Sequence, residues 1–433
     1  MAAPARRACF DVLCKVEFRG RPSDSALHSE KVSRLRPIDR SLATEIAYGT
    51  LRWQGWLDYL LSRAITIPAD RVEPEARIIL RMSLYQLAWM ERVPDHAVVN
   101  DAVELAKQAL RRRAPASFVN GVLRRLTRER PWAKPGFDSD WPGWARVSLP
   151  QWLWERWTVR FGAADAAAYA RSLNEPPAQT FWVVDGIPQD GSVAGADPSP
   201  LVPGAFVRRD RAPVEQAAKS SRLHYQDEAS QLIPHLLGRL EGMRVWDACA
   251  APGGKSLILQ RKLGGSGLVV ASDVNYTRAA ELAAKSDPAT AGSLAVLAAD
   301  ASRPAPFKSE FDAVLADVPC SGLGTLRRNP EIKWRFRTAR LPLLHDAQLL
   351  ILSEAARAVR RGGRLLYSTC STEPEENEQV VRRFLLSRQD FQVRRPDTPP
   401  GVDQWLDGEG FLRTFPGRKR WDGFFAVLMA RFS

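Results

Sequence analysis

Two cysteines in the C-terminal half carry the first suggestion of chemistry. Cys320 lies in Asp317-Val-Pro-Cys-Ser-Gly322, and Cys370 lies in Tyr367-Ser-Thr-Cys-Ser371. Each follows an apolar run that reads as a strand, 311–317 and 364–368. A thiolate can add to an electron-poor ring and later leave by elimination, which is covalent catalysis. If the two strands are neighbours, both thiols reach the same carboxyl edge of a sheet. A free cysteine is more often a small buried hydrophobe, and that plainer reading is kept for Cys9, Cys14 and the thiol of Cys249.

A second constellation lies upstream, Asp247-Ala-Cys-Ala-Ala-Pro-Gly-Gly-Lys255. It falls between a strand at 243–248 and a helix at 256–263. Paired glycines let backbone approach a ligand, and a helix start offers free N–H groups. A Walker loop would need glycine five positions before Gly254, where Cys249 stands, and no G-x-G-x-x-G is present. The loop therefore suits a ligand that needs backbone contacts but no pyrophosphate cradle. Asp273, Asp300 and Asp317 each close a strand, and a carboxylate after the second strand is placed to hold ribose hydroxyls. A nucleoside with a methionine tail fits better than a nucleotide. Its expected contacts are Cys249, Ala250, Ala251, Pro252, Gly253, Gly254 and Lys255, with Asp273, Asp300 and Asp317.

The elements that must position these residues follow from periodicity. From residue 240 onward, strand patterns at 243–248, 267–273, 293–299, 311–317, 364–368, 391–394 and 424–431 alternate with helical stretches at 256–263, 276–285, 342–361 and 375–387. That alternation predicts a parallel, doubly wound sheet closed by an antiparallel hairpin. Residues 5–130 instead carry apolar stripes at helical spacing, with prolines at 37, 68, 74, 94 and 115 between them. Seven of the fourteen tryptophans fall within 132–182. They could stack on bases, but filling a small core is the commoner use. Residues 185–213, rich in Gly, Pro, Asp and Ser, read as an exposed linker. The expected domains are 1–135 (helical), 136–235 (tryptophan-rich, small α+β) and 236–433 (α/β).

Composition narrows the function classes. The 433 residues are 45% hydrophobic and 26% charged, which is ordinary globular composition. No apolar run is long enough to cross a membrane. The first residues are not followed by a signal-like apolar core, so a cytoplasmic protein is expected. Five scattered cysteines, with no Cys-x-x-Cys, support neither a disulfide framework nor a metal site. Lys and Arg number 62 against 49 Asp and Glu, a net +13; residues 1–135 hold 24 against 15, or +9. A basic helical region on a nearly balanced body suggests a polyanionic partner.

Together, Asp247–Lys255, Asp317–Gly322 and Tyr367–Ser371 resemble the RsmB/Nop2/Sun (Fmu) family of RNA 5-methylcytosine methyltransferases. Trp421-Asp-Gly-Phe-Phe-Ala is similar to the family's closing strand. Asp39-Arg-Ser-Leu-Ala-Thr-Glu-Ile-Ala-Tyr-Gly-Thr-Leu-Arg52 resembles the NusB-type RNA-binding domain of the bacterial RsmB branch. The resemblance spans nearly the whole chain, and the three motifs together are far more specific than any one. Two departures are Val318, where the family usually has Ala, and Leu323, in a turn often written Ser/Gly-Thr-Gly.

The resemblance implies an all-α NusB-like domain, a small connecting domain and a Rossmann-like methyltransferase domain with a seven-stranded sheet. It implies S-adenosylmethionine as cofactor, and carbon 5 of cytosine in RNA, 16S rRNA foremost, as substrate. By the same resemblance Cys370 is the nucleophile and Cys320 assists product release, the reverse of DNA cytosine methyltransferases. Asp317 could serve either the base or the donor. Lys255 and Lys333 could touch cofactor or RNA, although simple surface solvation is the plainer expectation for Lys333. Two rival readings are a tRNA cytosine-5 methyltransferase of the same family and a non-catalytic RNA-binding assembly factor. The intact loop and both cysteines argue against the latter.

Overall fold

The computed structural model describes residues 2–68, 71–109, 114–184, 192–209, 223–285, 293–307, 310–415 and 421–432. Two compact units emerge, one of Met1–Pro176 with Leu326–Arg335, the other of Pro177–Thr325 with Phe336–Ser433. The tryptophan-rich stretch expected to form a connecting domain is thus divided, its first part joining the helices and its second part the α/β unit.

The first unit opens with long helices at Pro4–Arg19, Pro37–Arg52, Gln54–Ala64, Pro74–Trp89, Asp95–Ala109 and Ala114–Glu129. Pro4, Pro37 and Pro74 each begin a helix, where the missing N–H costs nothing and the fixed φ is already helical. Gly20 ends the first helix in the left-handed region, at φ 63°. Ile46, Leu57, Leu80, Leu84 and Leu123 fill the core. Of the seven clustered tryptophans, Trp141, Trp157 and Trp182 are buried and none is exposed. Trp141 packs 5.5 Å from Trp56 and 5.3 Å from Phe137, ring centre to ring centre. Packing, not an open stacking face, is what these rings do.

Ten residues that follow the Asp317–Gly322 motif in sequence belong to this helical unit. Within them Lys333 is buried, not solvated as the sequence suggested. Its Nζ donates to Asn174 Oδ1 at 2.8 Å and to the carbonyls of Arg52 and Ser148 at 3.2 and 3.3 Å. Burial, with Arg52 nearby, pushes its pKa down to about 7. Glu331, also buried, accepts from the N–H and hydroxyl of Ser23 at 2.9 and 2.8 Å. A lone lysine in a polar segment looks solvated because the three acceptors that take it in are 159 to 281 residues away.

The second unit holds two sheets. Strands β1 (Thr180–Val183), β2 (Ala196–Pro198), β3 (Ala205–Arg208) and β4 (Leu223–Tyr225) form an antiparallel sheet in the order β2-β3-β1-β4. β2 and β3 lie inside the stretch read as an exposed linker; its residues 185–191 and 210–213 fall outside the described residues. What the Gly- and Pro-rich composition marks there is the turns between short strands.

The larger sheet comprises β5 (Arg244–Asp247), β6 (Leu268–Asp273), β7 (Leu294–Ala298), β8 (Phe311–Asp317), β9 (Val359–Thr369), β10 (Phe391–Val393), β11 (Leu412–Arg413) and β12 (Phe425–Arg431). Its order is β10-β12-β9-β8-β5-β6-β7, with β11 paired to β12. The sheet thus has eight strands where seven were expected, the two-residue β11 being the one the sequence did not show. β5 to β9 run parallel, and β12 is antiparallel to β9. Trp246, Val314 and Tyr367 belong to one core, Val245, Leu315 and Leu366 to another. This alternation lets helices cover both faces. The helix expected over 342–361 ends at Arg357, and β9 starts at Val359. Val359 pairs with Phe311 and Arg364 with Ala313, so residues 360–363 bulge out of register around Gly362, whose φ is 70°.

Replacing Lys333 by Met should remove a donor from three buried acceptors, of which the Arg52 carbonyl keeps the Ser148 hydroxyl. A loss of about 2–4 kcal/mol in urea-induced unfolding of the full chain is expected. An unchanged midpoint would show that the lysine's hydrogen bonds contribute nothing.

Candidate functional site

Except for Lys333, which is buried in the helical unit, the catalytic and cofactor candidates lie at the carboxyl ends of β5 to β9, where parallel α/β sheets bind ligands. Asp247 ends β5 and is fully buried. Ser256, in the first turn of the next helix, donates to its Oδ2 at 2.6 Å, while Oδ1 is buried without a hydrogen-bond partner. Burial pushes this carboxyl up to about 7, against the opposing hydrogen bond from Ser256.

The loop leaving β5 is folded back on the sheet. The Ala250 N–H donates to the carbonyl of Ser272 at 2.8 Å, and the Gly253 N–H to that of Ala250 at 2.8 Å. The Ala251–Pro252 peptide is cis. Gly253 sits at φ 105°, and a Cβ there would lie 2.2 Å from Leu282 Cδ1. A Cβ on Gly254 would lie 2.6 Å from Gln226 Oε1 and 2.7 Å from His224 Nε2. The sequence suggested that these glycines admit a ligand; in the folded unit it is the protein's own side chains that need the room.

The acidic strand ends converge around Cys249. Its thiol pKa is raised by burial first, then by Asp247, Asp317, Asp273 and Asp300 in that order. Asp273 accepts from the backbone N–H groups of Ala251 at 3.3 Å and Asn275 at 2.8 Å. Asp300 is more exposed and closes its own turn, accepting from Ser302 N–H at 2.9 Å and Oγ at 2.6 Å; those bonds hold its pKa down. Asp317 accepts from Ser368 Oγ at 2.6 Å and pairs with Lys255 Nζ at 2.7 Å. Lys255 also donates to Ser230 Oγ at 3.0 Å and stands 5.3 Å from the ring centre of Phe424. Burial works against its charge, but Asp317, with Cys370 and Asp247 behind it, outweighs burial and the pKa is raised.

Cys320 and Cys370 stand side by side, with Sγ atoms 3.1 Å apart. The register explains it: β8 and β9 are parallel neighbours with Asp317 opposite Ser368, so chains leaving both strands travel the same way. The Gly324 N–H donates to the carbonyl of Cys370 at 2.9 Å, tying the two loops together. Gly324 has no alternative, since a Cβ would fall 1.8 Å from the carbonyl oxygen of Gly423. The Cys320 thiol is pushed well up by its hydrogen bond with Cys370 and by burial. Cys9 and Cys14 lie in the helical unit, where burial raises both thiols, Cys14 to about 12. Cys9 lies in the helical core and Cys14 packs against it.

Residues 234–430 match the family described as 16S rRNA methyltransferase RsmB/F, and residues 3–128 match the NusB family. The ribosomal RNA small subunit methyltransferase B of Thermus thermophilus is 33% identical, over 99% of this chain and 98% of that protein. That of Xanthomonas campestris is 31% identical, over 99% and 97%. The chain belongs to this methyltransferase family. Among solved structures, that of PH0851 covers 99% of both chains with a TM-score of 0.78 at 24% identity. A methyltransferase homologue from Pyrococcus horikoshii covers 67% of this chain and 98% of its own, with a TM-score of 0.56 at 24% identity. These likenesses support the fold.

An RsmB/F enzyme takes its methyl group from S-adenosylmethionine, and the site fits that molecule. An unpartnered buried carboxyl oxygen on Asp247 and the carboxylate of Asp273 offer acceptors for its amino and hydroxyl donors. The carboxylate of Asp273, which closes β6 beside the loop, also suits its positive sulfonium. Among the described residues no helix is long and apolar enough to cross a membrane, and no group of three or more His, Cys, Asp or Glu could hold a metal ion.

Several contributors escaped sequence reading: Ser230, Ser256, Ser321, Ser368, Ser371 and Glu376. Ser321, Ser368 and Ser371 lie within the two cysteine motifs, which is a usable signal; Ser230 and Ser256 lie outside them. Gly253→Ala should be strained twice, by its φ and by Leu282. A loss of about 1–3 kcal/mol is expected in thermal or chemical unfolding of the full chain. Wild-type stability would show that the loop relaxes freely.

Proposed function

We propose that the protein methylates carbon 5 of cytosine in small-subunit ribosomal RNA through a covalent adduct on Cys370. The observation that carries this reading is the pair of thiols 3.1 Å apart beside the Lys255–Asp317 ion pair. Carbon 5 of cytosine is too poor a nucleophile to take a methyl group unaided. When Cys370 adds to carbon 6, the ring becomes an enamine and carbon 5 gains the needed electron density. S-adenosylmethionine, when bound, supplies an electrophilic methyl group. A base then takes the carbon 5 proton, the C5–H electrons restore the C5–C6 double bond, and the C6–S bond breaks to release the Cys370 thiolate, a release that Cys320 assists.

The donor would be held by the loop Cys249–Lys255 and by Asp273, Asp300 and Asp317. Asp317 is oriented by Ser368 and neutralised by Lys255, so it can also hydrogen-bond the cytosine ring while Lys255 holds opposite charge beside it. The basic helical domain supplies RNA affinity: Arg124, Arg125 and Arg128 are exposed along the helix Ala114–Glu129. A paired base must be extruded to reach the thiol, so unpaired cytosines are favoured. The names of the relatives support a ribosomal rather than a transfer RNA substrate, and a cytoplasmic location is consistent with such a substrate.

Replacement of each cysteine tests the chemistry. Cys370→Ala should bind cofactor but form no adduct and no product. Cys320→Ala should methylate once and stay attached to its RNA, seen as a shifted band on a denaturing gel with labelled RNA. The reverse pattern transfers the nucleophile to Cys320, and normal turnover by both variants removes the covalent mechanism. Bisulfite sequencing of RNA from cells with and without the protein identifies the substrate. For the RNA surface, Arg124→Ala with Arg128→Ala should flatten the slope of log affinity against log salt by about 0.7–0.9 for each phosphate no longer neutralised. An unchanged slope places the RNA footprint elsewhere.

A further inference from the structure

Glu376 is a buried carboxyl that the mechanism above does not use. It ends the short turn Pro374–Glu376, six residues beyond Cys370, and its side chain is wholly enclosed. Both oxygens are doubly engaged. Oε1 accepts from the Ser321 N–H at 2.7 Å and from Gln348 Nε2 at 3.0 Å. Oε2 accepts from the hydroxyls of Ser321 and Ser371, each at 2.5 Å. The two hydroxyls lie 3.1 Å apart. Ser321 is the residue after Cys320, and Ser371 the residue after Cys370, so one carboxyl grips both thiol-bearing loops.

The grip is itself anchored. The Tyr367 hydroxyl, from inside β9, donates to the Glu376 carbonyl at 2.6 Å. Gln348 donates a second time to the carbonyl of Pro319, one residue before Cys320, at 3.0 Å. Asn377 donates to the carbonyl of Ser371 at 3.0 Å and accepts from Thr369 at 2.6 Å. Burying a carboxyl is costly unless its hydrogen bonds are complete, and an apolar side chain of similar volume often serves stability as well or better. What an apolar side chain cannot do is fix two serine side chains on opposite loops at one point.

We propose that Glu376 is a positioning residue that sets the separation and relative orientation of the Cys320 and Cys370 thiols through Ser321 and Ser371. The proposal rests on the two-thiol reading above. Its physical content is that a shift of about an ångström between attacking group and target can cost on the order of 100-fold in rate. With the grip intact, one thiol meets carbon 6 while the other stays within reach of the same adduct.

The test uses the full-length protein with Glu376→Ala and Glu376→Gln. The first removes the grip. The second keeps its size and lets the amide donate to serine hydroxyls that turn to accept. Expected for Glu376→Ala is a kcat lower by about 100-fold, with KM for S-adenosylmethionine and for RNA within a few-fold of wild type. Glu376→Gln should recover a large part of that loss. A second readout is independent of methylation: diamide removes two hydrogens from the thiol pair, joins Cys320 to Cys370, and is itself reduced to the hydrazine. The joined peptides are counted by mass spectrometry. Wild type should crosslink rapidly and Glu376→Ala about tenfold or more slower. Ser321→Ala and Ser371→Ala, each deleting one hydroxyl, replace Glu376→Ala should that variant not fold, and should slow both readouts.

A wild-type crosslinking rate in the alanine variants overturns the proposal, even if thermal stability falls, because the carboxyl would then be structural only. Slower crosslinking with unchanged kcat overturns it as well, by showing that the spacing is not used. Normal turnover by both Cys370→Ala and Cys320→Ala would instead defeat the covalent reading, and the crosslinking rates would still report whether Glu376 sets the spacing.

Discussion

The parallel pairing of β8 with β9 is the constraint on which the rest of the site depends. Parallel neighbours release their chains from the same edge, and here the register sets Asp317 opposite Ser368. Three residues beyond one strand end and one beyond the other stand Cys320 and Cys370, side by side. Antiparallel pairing would have sent one thiol to the far edge. The bulge at residues 360–363 absorbs its extra length near the start of β9, leaving the last five pairs with β8 in register. The irregularity is kept away from the end where register matters.

Charge balance is the second organising term. Four acidic groups act on Cys249; Lys255 is paired to Asp317 and braced by Ser230 and Phe424, while the more exposed Asp300 pairs with Arg303. An ion pair so enclosed stabilises little by itself, because both partners give up their hydration. Its use is orientation. Held between Ser368 and Lys255, the Asp317 carboxylate has a fixed direction beside the thiols. Asp247 shows the opposite outcome, a carboxyl with one hydrogen bond and one unpartnered oxygen, whose pKa burial raises to about 7.

The helical unit is completed by Leu326–Arg335, a segment that follows the first cysteine motif along the chain. Lys333 and Glu331 are its anchors, both buried, both satisfied by partners from distant sequence. A region bounded by sequence position alone, such as 1–135, therefore lacks part of its own packing. The seven clustered tryptophans follow the same logic, serving the cores of whichever unit their chain enters.

Sequence alone determined the alternation of strands and helices from residue 244 onward, because each period follows from local spacing of apolar residues, and it marked both cysteines and the acidic strand ends. It also carried the family, since three short motifs with fixed residue types are hard to meet together by chance. What it left open were facts of long-range approach. That Lys333 is buried, that Leu282 and Gln226 fill the space over Gly253 and Gly254, and that Glu376 rather than its neighbour Glu375 grips both loops depend on residues brought together from far along the chain. A sequence records which groups are able to bond; only tertiary packing decides which of them lose water and must find one another.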